Sequence, residues 1–408
     1  MTIRLRHLAE VNPATPEFDW LPPDSLVPFL PLEAVWPGGM LDVSRRRPRS
    51  EVAVGYTRFR EGDILIPKIT PTFQADRTVI ACGIEGGIGA GTTELHIVRV
   101  SNCADSHYVR YLLSSKPALD EGEASMIGVA GQKRVPDNFF RDLRVPVADL
   151  SQQRAIADYL DAETGRIDAL IAKRRRMIEL LDEREQAIRD IWVNDQFSRW
   201  DSAAFRRQLS HIEQGWSPQC EAVPAEQGEW GVLKTSAVSK GVFLPDENKR
   251  LPEYVEPDER WRVRDGDLLV TRGSGSADMV GRAAVACTEG RKLLLSDLIY
   301  RLVPYSSDTE YLAEILQSRR LRGLIRACIR MDSGQTLKVR VNDLRELPVP
   351  LTPSTEQTRA LVELHLRLAR TLRVREMLHY QLQLLAEHRR ALITAAVNGE
   401  IEIPGLAA

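Results

Sequence analysis

The 408-residue chain repeats itself at a spacing of 204 residues, which is half of its length. Gly62-Asp63-Ile64-Leu65 recurs as Gly266-Asp267-Leu268-Leu269, and Leu143-Arg144-Val145-Pro146 recurs as Leu347-Pro348-Val349-Pro350. Further pairs at this spacing are Gln153 and Gln357, Leu180-Leu181 and Leu384-Leu385, Glu183 and Glu387, and Val193-Asn194 and Val397-Asn398. Because short matches do not accumulate by chance in one order at one spacing, the sequence predicts an internal duplication of the whole chain.

The first part of each repeat, residues 1–147 and 201–350, is predicted to be a globular domain. Both segments are rich in glycine and proline and contain short β-branched runs such as Leu95–Val100 and Leu268–Thr271. Further runs of this kind are Arg77–Ala81 and Ala283–Cys287. This pattern is typical of short strands joined by turns, and it favours an α+β or a mostly β domain.

The second part of each repeat, residues 148–200 and 351–403, is predicted to be one long helix, with a short tail at 404–408. The first segment contains no proline, and the second has neither proline nor glycine between Ser354 and Asn398. Ser354 with Gln357 predicts a capping box at the start of the second helix. Gly399 and Pro404 predict its end.

Each helical segment carries an apolar stripe that a single helix cannot bury alone. The spacing of three and four residues predicts a coiled-coil seam. The predicted packing residues are Ile167, Leu170, Met177, Leu181, Ile188 and Ile191 in the first helix, and Leu378, Leu382, Leu385 and Leu392 in the second. The order domain, helix, domain, helix makes the paired helices antiparallel and relates the two domains by a pseudo-twofold axis. The alternative is that each helix packs only on its own domain.

Charge, cysteine content and apolar segments limit which partners and which cell compartment the sequence predicts. The formal net charge is -2 and the pI is near 6.4, so any binding of nucleic acid must come from local basic patches. Five cysteines without CxxC pairing argue against a disulfide framework and a zinc ribbon. The beginning of the chain has no apolar signal region and no segment has the length of an apolar membrane span, so we expect a cytoplasmic protein without a membrane partner.

Motifs that would mark an enzyme are absent from the sequence. There is no N-P-P-[YF] site of an adenine methyltransferase and no P-loop. Gly87-Ile88-Gly89-Ala90-Gly91 precedes a predicted strand rather than the helix that a dinucleotide site requires. The histidines form no HxxxH or HExxH pair. The sequence therefore predicts no catalytic residue and no metal site in this chain.

Over its whole length the chain resembles the specificity subunit of type I restriction-modification enzymes. The resemblance rests on Gly62–Lys68 and Gly266–Arg272 within the two domains, and on the segments Val145–Leu160 and Val349–Gln357 that lead into the helices. The closing segment Glu387–Gly399 also resembles the end of the family's C-terminal helix. Their order and repetition carry the resemblance, since no single segment is diagnostic.

The resemblance implies two target-recognition domains, each of which reads one half of a bipartite site in double-stranded DNA. It implies that the helices form a spacer that sets the gap between the half-sites and docks methyltransferase subunits, which would supply catalysis and bind S-adenosylmethionine. A restriction and translocase subunit, whose presence the sequence leaves open, would use ATP and Mg. The subunit itself is not an enzyme in this family, so no cofactor is expected in this chain.

Candidate DNA contacts are loop residues that combine positive charge for phosphates with amide, hydroxyl or guanidinium groups for base edges. In the first half they are Arg45, Arg46, Arg47, Lys68, Thr70, Gln132, Lys133 and Arg134; in the second half they are Thr271, Arg272, Ser274, Gln335, Thr336 and Lys338. The Gly131-Gln132 and Gly334-Gln335 pairs recur at a spacing of 203 and place an amide beside a glycine in both halves. The alternative for any one of these residues is a solvated surface position, or a glutamine that ties a loop to the backbone.

Two other classes of function remain open from the sequence. One is an autonomous nuclease or methyltransferase with an unfamiliar motif. The other is a structural adaptor that does not bind DNA and scaffolds partner proteins. Neither class accounts for the duplication of both a domain and a helix.

Overall fold

The computed structural model describes residues 2–36, 40–129, 132–239, 241–331 and 336–404. The chain divides into two compact units. The first unit comprises residues 1–176 and 378–408, and the second comprises residues 177–377. Each unit therefore contains one globular half and a part of both long helices. Among the described helices, none is long and apolar enough to cross a membrane.

Up to the end of the first long helix, the described residues form ten strands and five α-helices. The strands are β1 (Thr2–Arg4), β2 (Ala9–Val11), β3 (Leu26–Leu30), β4 (Arg46–Pro48), β5 (Thr57–Arg60), β6 (Ile64–Pro67), β7 (Val79–Ile80), β8 (Ile88–Gly91), β9 (Leu95–Val100) and β10 (Arg144–Pro146). The helices are α1 (Glu17–Trp20), α2 (Ser106–Leu113), α3 (Lys116–Ala124), α4 (Asp137–Asp142) and α5 (Leu150–Arg199).

The second half of the chain begins again with a short strand and ends with the second long helix. The strands are β11 (Ser202–Ala204), β12 (Leu209–Gln214), β13 (Trp230–Leu233), β14 (Val238–Ser239), β15 (Val242–Phe243), β16 (Asn248–Arg250), β17 (Leu268–Thr271), β18 (Gly273–Ser274), β19 (Ala283–Val285), β20 (Lys292–Leu294), β21 (Ile299–Pro304), β22 (Arg330–Met331), β23 (Leu337–Lys338) and β24 (Pro348–Pro350). The helices are α6 (Thr309–Gln317), α7 (Arg319–Cys328), α8 (Val341–Arg345) and α9 (Ser354–Asn398).

Sheet order confirms the predicted duplication and the α+β class. The first unit has a sheet in the order β2-β9-β6-β7, and the second unit has its counterpart in the order β12-β21-β17-β19. A second sheet is ordered β4-β3-β8-β5 in the first unit and β16-β13-β20 in the second. In both, one antiparallel and one parallel neighbour flank the central strand, β3 or β13. The small pairs β1-β10 and β11-β24 also correspond.

The repeated Gly-Asp motif stabilises the turn before the central strands β6 and β17. Gly62 and Gly266 have φ of 83° and 90°, in the left-handed region that favours glycine. The buried Asp63 carboxylate accepts a hydrogen bond from the Arg60 backbone N–H at 2.7 Å and binds the guanidinium of Arg99 at 2.7 Å. Asp267 repeats both contacts in the second unit, with Arg264 at 2.9 Å and Arg301 at 3.0 Å. The motif is therefore structural, since each of its groups is used inside the fold.

The long helices α5 and α9 pack against each other in an antiparallel manner within each unit. In the first unit, Arg389 Nε binds Asp168 at 3.0 Å. In the second, Trp192 Nε1 donates to the Ala360 carbonyl at 2.9 Å, while Arg375 binds Asp182 at 3.3 Å. The residue numbers of the contacting partners thus fall along α9 as they rise along α5, which is the pattern of an antiparallel pair. The alternative in which each helix packs only on its own domain is excluded.

A buried glutamine near the start of each long helix pins it to the globular part of its unit. Gln153 Oε1 accepts from the Asp105 backbone N–H at 2.9 Å, and Gln153 Nε2 donates to the Ala148 carbonyl at 2.8 Å. Gln357 makes the equivalent pair with Asp308 and Thr352, both at 2.7 Å.

The predicted capping box at Ser354 and Gln357 is wrong, because the Gln357 amide is used in this pin. Ser354 Oγ instead donates to the Ser306 carbonyl at 3.1 Å. A capping box does form at the other helix, where Asp149 and Gln152 exchange hydrogen bonds of 2.9 and 3.0 Å. The predicted end of α9 is confirmed, with Gly399 in the left-handed region at φ 71°.

The predicted packing stripe is only partly buried. Ile167 and Leu378 are buried, whereas Leu181, Ile188, Leu382, Leu385 and Leu392 are partly buried. Ile191 is 61% exposed, so its assignment to the packing stripe is wrong, and Leu170 and Met177 are likewise exposed. A strict seven-residue spacing drifts by about 20° per heptad on a straight helix, which turns Ile191 outward. Trp192, which is 1% exposed, takes the inward position.

Candidate nucleic-acid interface

In the first unit, the loop after β6 pairs with the segment before α4. The Thr70 backbone N–H donates to the Lys133 carbonyl at 3.0 Å, and the Val135 N–H donates to the Lys68 carbonyl at 2.9 Å. Ile69 and Arg134 form an antiparallel bridge between these contacts. This pairing, the first ladder, comprises residues 68–70 and 132–135. It brings together five of the eight candidates predicted in the first half.

The second unit builds the same feature from equivalent positions. Strand β18 pairs with β23, and β23 pairs with β22, so that Gly273 lies opposite Lys338 and Lys338 lies opposite Arg330. The Val339 N–H donates to the Arg272 carbonyl at 3.0 Å, as Val135 does to Lys68 in the first ladder. We call residues 272–274, 330–331 and 336–339 the second ladder.

The side chains at equivalent ladder positions differ in chemistry. At the spacing of 204, Lys68 corresponds to Arg272, Thr70 to Ser274, Gln132 to Thr336 and Arg134 to Lys338. Gln132 and Lys133 are exposed, and Ser274 and Thr336 are partly exposed. Gln335, the other candidate amide, lies outside the described residues. At the spacing of 204, the amide of Gln132 in the first ladder therefore corresponds to the hydroxyl of Thr336 in the second.

Charge is partly neutralised in the first ladder. Arg134 binds the Glu94 carboxylate through Nε at 2.9 Å and through Nη2 at 2.8 Å. This hydrogen bond holds the pKa of Glu94 below its usual range, and the nearby charges of Arg134 and Lys68 lower it further. Leu298 occupies the equivalent position in the second unit, where its carbonyl accepts from the Arg272 N–H at 2.8 Å. The second ladder consequently has no carboxylate at the position of Glu94.

One buried side chain supports each ladder from the central sheet. His96 Nε2 lies 2.8 Å from the Val135 carbonyl, which can only accept, so this nitrogen carries the proton. His96 Nδ1 then accepts from Asn12 Nδ2 at 3.1 Å. Burial lowers the pKa of His96 below its ordinary value, which favours this neutral form.

Tyr300 takes the place of His96 in the second unit. Its hydroxyl donates to the Val339 carbonyl at 3.3 Å and accepts from Arg272 Nε at 3.1 Å. The guanidinium of Arg272 also donates to the Asp297 carbonyl at 3.1 Å. The Arg272 guanidinium is therefore held against the sheet by two neighbours, Tyr300 and Asp297. Sequence reasoning missed both supporting residues, because their partners lie 39 residues away in the chain.

Thr271 is wrong as a candidate DNA contact. Its side chain is completely buried, and Oγ1 donates to the Val238 carbonyl at 3.3 Å. Thr271 is the last residue of β17, where side chains alternate between the two faces of the sheet. It points into the core, whereas the ladder begins one residue later.

The run Arg45, Arg46 and Arg47 lies apart from the first ladder, on the sheet that contains β4. Arg45 binds Glu33 at 2.9 Å, and Arg46 forms an ion pair with Glu85. The Arg47 guanidinium lies 4.4 Å from the centre of the Phe29 ring. All three are exposed, yet two of them already have a carboxylate partner. The structure therefore divides the first-half candidates into two separate groups.

The chain is similar in sequence to known specificity subunits of type I restriction enzymes. No protein-family model matches the chain. It is 27% identical to the type I restriction enzyme EcoEI specificity subunit of Escherichia coli, over 88% of this chain and 76% of that protein. It is 38% identical to the EcoAI specificity subunit of the same organism, over 37% of this chain and 26% of that protein.

Among solved structures, the fold is similar to that of a chain from a study of complex assembly and conformational transition of the type I R-M system. The TM-score is 0.63 at 14% identity, with 98% of both chains covered, so this likeness concerns the fold alone. The sequence similarity is to the curated specificity subunits, and the duplicated α+β units with their long helices agree with it. The chain is thus similar in sequence, and in its duplicated fold, to specificity subunits of type I restriction enzymes.

Proposed function

We propose that this chain is the DNA-reading subunit of a type I restriction-modification complex. Each unit reads one half of a bipartite site in double-stranded DNA through its ladder. The second ladder uses Arg272, Ser274, Thr336 and Lys338, and the first uses Lys68, Thr70, Gln132, Lys133 and Arg134. Catalysis resides in methyltransferase subunits that bind S-adenosylmethionine, and a restriction subunit with ATP and Mg completes the complex where one is present.

The observation that carries this proposal is that one scaffold recurs with different side chains at equivalent positions. The backbone contacts of the two ladders match to within about 0.1 Å, from Lys68 to Val135 and from Arg272 to Val339. A conserved backbone with altered side chains suits two domains that bind the same kind of ligand but distinguish its sequence. Amides, hydroxyls and guanidinium groups are the groups that read base edges in the major groove.

The long helices have surface features that suit a protein partner. Within the second unit, Val362 and Leu366 of α9 are 54% and 73% exposed, one helical turn apart. Within the first unit, Tyr380 and Leu384 of the same helix are 62% and 43% exposed. Apolar side chains at a spacing of four residues form a stripe on one face of a helix, which is how a helix presents itself to another protein. We propose that methyltransferase subunits dock here and that the helices set the gap of the DNA site.

The decisive experiment maps methylated adenines across the genome with and without this chain. We expect a single bipartite motif to lose methylation when the chain is removed, and to regain it when the chain is restored. If the methylation pattern stays the same, the chain does not specify a target. An adaptor that does not bind DNA would be indicated if the assembled complex forms normally but shows no sequence-specific, salt-sensitive binding.

Reciprocal substitutions in the ladders sharpen the test. Gln132→Ala should relax the methylated motif in one half only, and Thr336→Val should relax it in the other half only. Each good base contact contributes about 1–3 kcal/mol to discrimination between bases. If either variant altered both halves, the assignment of one half-site to each unit would be wrong.

A further inference from the structure

Three arginines converge on one loop of the second unit, beside helix α7. Arg282 Nε and Arg322 Nη2 both donate to the backbone carbonyl of Asp278 at 2.9 Å, and Arg326 Nη1 binds the Asp278 carboxylate at 3.0 Å. Gly281 allows this close approach, since a Cβ there would lie 2.4 Å from the Ile325 side chain. With Arg330, which follows on β22, they form what we call the α7 arginine cluster: Arg282, Arg322, Arg326 and Arg330.

Positive charge exceeds negative charge in this cluster. Arg326 has Asp278 as its carboxylate partner, and Arg330 lies 3.7 Å from Asp343. Arg322 donates to main-chain carbonyls, including that of Val280 at 2.6 Å. Burial lowers the pKa of Arg322 to about 10, and the neighbouring positive charges contribute to the shift. The guanidinium stays charged at neutral pH, so four positive groups face two carboxylates.

The cluster continues the second ladder. Arg330 lies opposite Lys338 in the pair β22-β23, and Lys338 lies opposite Gly273 in the next pair. Arg326 and Arg330 are both exposed. A row of exposed cations therefore borders the residues that we assign to base reading. Contacts to phosphates commonly flank base contacts in this way, where they fix the register of a protein on duplex DNA.

The first unit has no such cluster at the equivalent positions. Helices α3 and α7 begin at Lys116 and Arg319, a spacing of 203. At that spacing Leu119, Glu123 and Ile127 replace the arginines of α7 and β22. In the loop, where the spacing is 204, Thr78 stands in place of Arg282. Gln74, which replaces Asp278, donates to the Glu123 carboxylate. A hydrogen bond between the loop and the helix is therefore present in both units. On the helix, the positive Arg326 is replaced by the negative Glu123, and on the loop, the negative Asp278 is replaced by the neutral Gln74.

We propose that the α7 arginine cluster binds the sugar-phosphate backbone of duplex DNA next to the half-site that the second unit reads. This inference rests on the proposed function and adds a contact that only one of the two repeats carries. In the free protein, Asp278 neutralises Arg326. On binding, a phosphate oxygen takes part of that role, since a guanidinium can hold a carboxylate and a phosphate through separate N–H groups. The contact carries no sequence information.

The test measures DNA binding by the assembled complex of this chain with methyltransferase subunits. The ligand is a duplex that contains the mapped bipartite site, titrated over a series of salt concentrations. The variants are Arg326→Gln alone and combined with Arg330→Gln; both side chains are exposed, so little effect on folding is expected. Arg319→Gln is the matched control, because Arg319 lies on the same helix and is 69% exposed but binds Asp190 of α5.

We expect the salt dependence to separate these variants. Each phosphate contact contributes about 0.9 to the slope of log K against log salt concentration, so the double variant should lower the slope by about 2. Arg326→Gln alone should lower it by about 1, and Arg319→Gln should leave it unchanged. Affinity should fall equally for matched and mismatched duplexes, because phosphate contacts do not read sequence.

Different failures have different meanings. If the wild-type complex binds its site specifically but the double variant keeps the full slope, this inference is overturned and the proposed function stands. If the variant loses its methyltransferase subunits in gel filtration while the slope is unchanged, the cluster is a protein-docking surface, which also overturns the inference. If the wild-type complex shows no specific binding, the proposed function and this inference fail together.

Discussion

The buried glutamines that pin the long helices lend themselves to a quantitative test. Gln357 is 1% exposed and makes two hydrogen bonds of 2.7 Å, one to the Asp308 N–H and one to the Thr352 carbonyl. Gln357→Leu has nearly the same volume but can make neither bond. Each backbone group left without a partner costs about 1–3 kcal/mol, and the apolar side chain offsets a part of this. We therefore expect a local destabilisation of about 2–4 kcal/mol.

Hydrogen exchange followed by mass spectrometry suits this test, because unfolding of a chain with two units does not yield a single free energy. A peptide that contains Asp308 should exchange at least about 30-fold faster in the variant, since each 1.4 kcal/mol corresponds to a factor of ten. Gln153→Leu is the matched control: it should accelerate exchange around Asp105 and leave Asp308 unchanged. If Gln357→Leu left the exchange around Asp308 within threefold of the wild type, the pin would not be holding α9 to its unit.

Three further predictions concern pH, packing and the helices. The pKa of His96 is lower in the folded chain than its ordinary value of 6.5. The neutral imidazole therefore stabilises the fold above pH 6.5, and this stabilisation is lost as the pH falls through the folded pKa, by at most about 1.4 kcal/mol per pH unit. Exchange around Val135 should therefore accelerate in acid in wild type but not in His96→Gln, and the same response in both would rule out His96 as the cause. Trp192→Ala should cost about 3–5 kcal/mol and Ile191→Ala less than about 0.5, as the difference in burial requires; equal losses in thermal unfolding would restore Ile191 to the packing stripe. Inserting one helical turn into both α5 and α9 should change the gap of the methylated motif, and a mapped motif with an unchanged gap would show that the helices do not set it.

Features that depend on local pattern could be predicted from the sequence. The duplication, the two long helices and the stop at Gly399 follow from repetition, periodicity and the conformational freedom of glycine. The strands Leu95–Val100 and Leu268–Thr271 have the predicted bounds. The predicted runs Arg77–Ala81 and Ala283–Cys287 are longer than the strands that form, since strand pairing is limited to Val79–Ile80 and Ala283–Val285. A β-branched run favours strand conformation, but the length of its neighbour decides where hydrogen bonding ends.

The tertiary structure alone decided which candidate residues lie together. Thr70 and Lys133 are neighbours only because a backbone pairing joins segments that are distant in the chain, while Arg46 belongs to another sheet and has its own carboxylate partner. Thr271 and Arg272 are neighbours in sequence, yet one is buried and the other supports the ladder. The physical reason is that charge and polarity are properties of a residue, whereas burial and partnership depend on groups that folding brings from elsewhere. The sequence by itself determined that there would be two units of one design, and the fold decided which surface each unit presents.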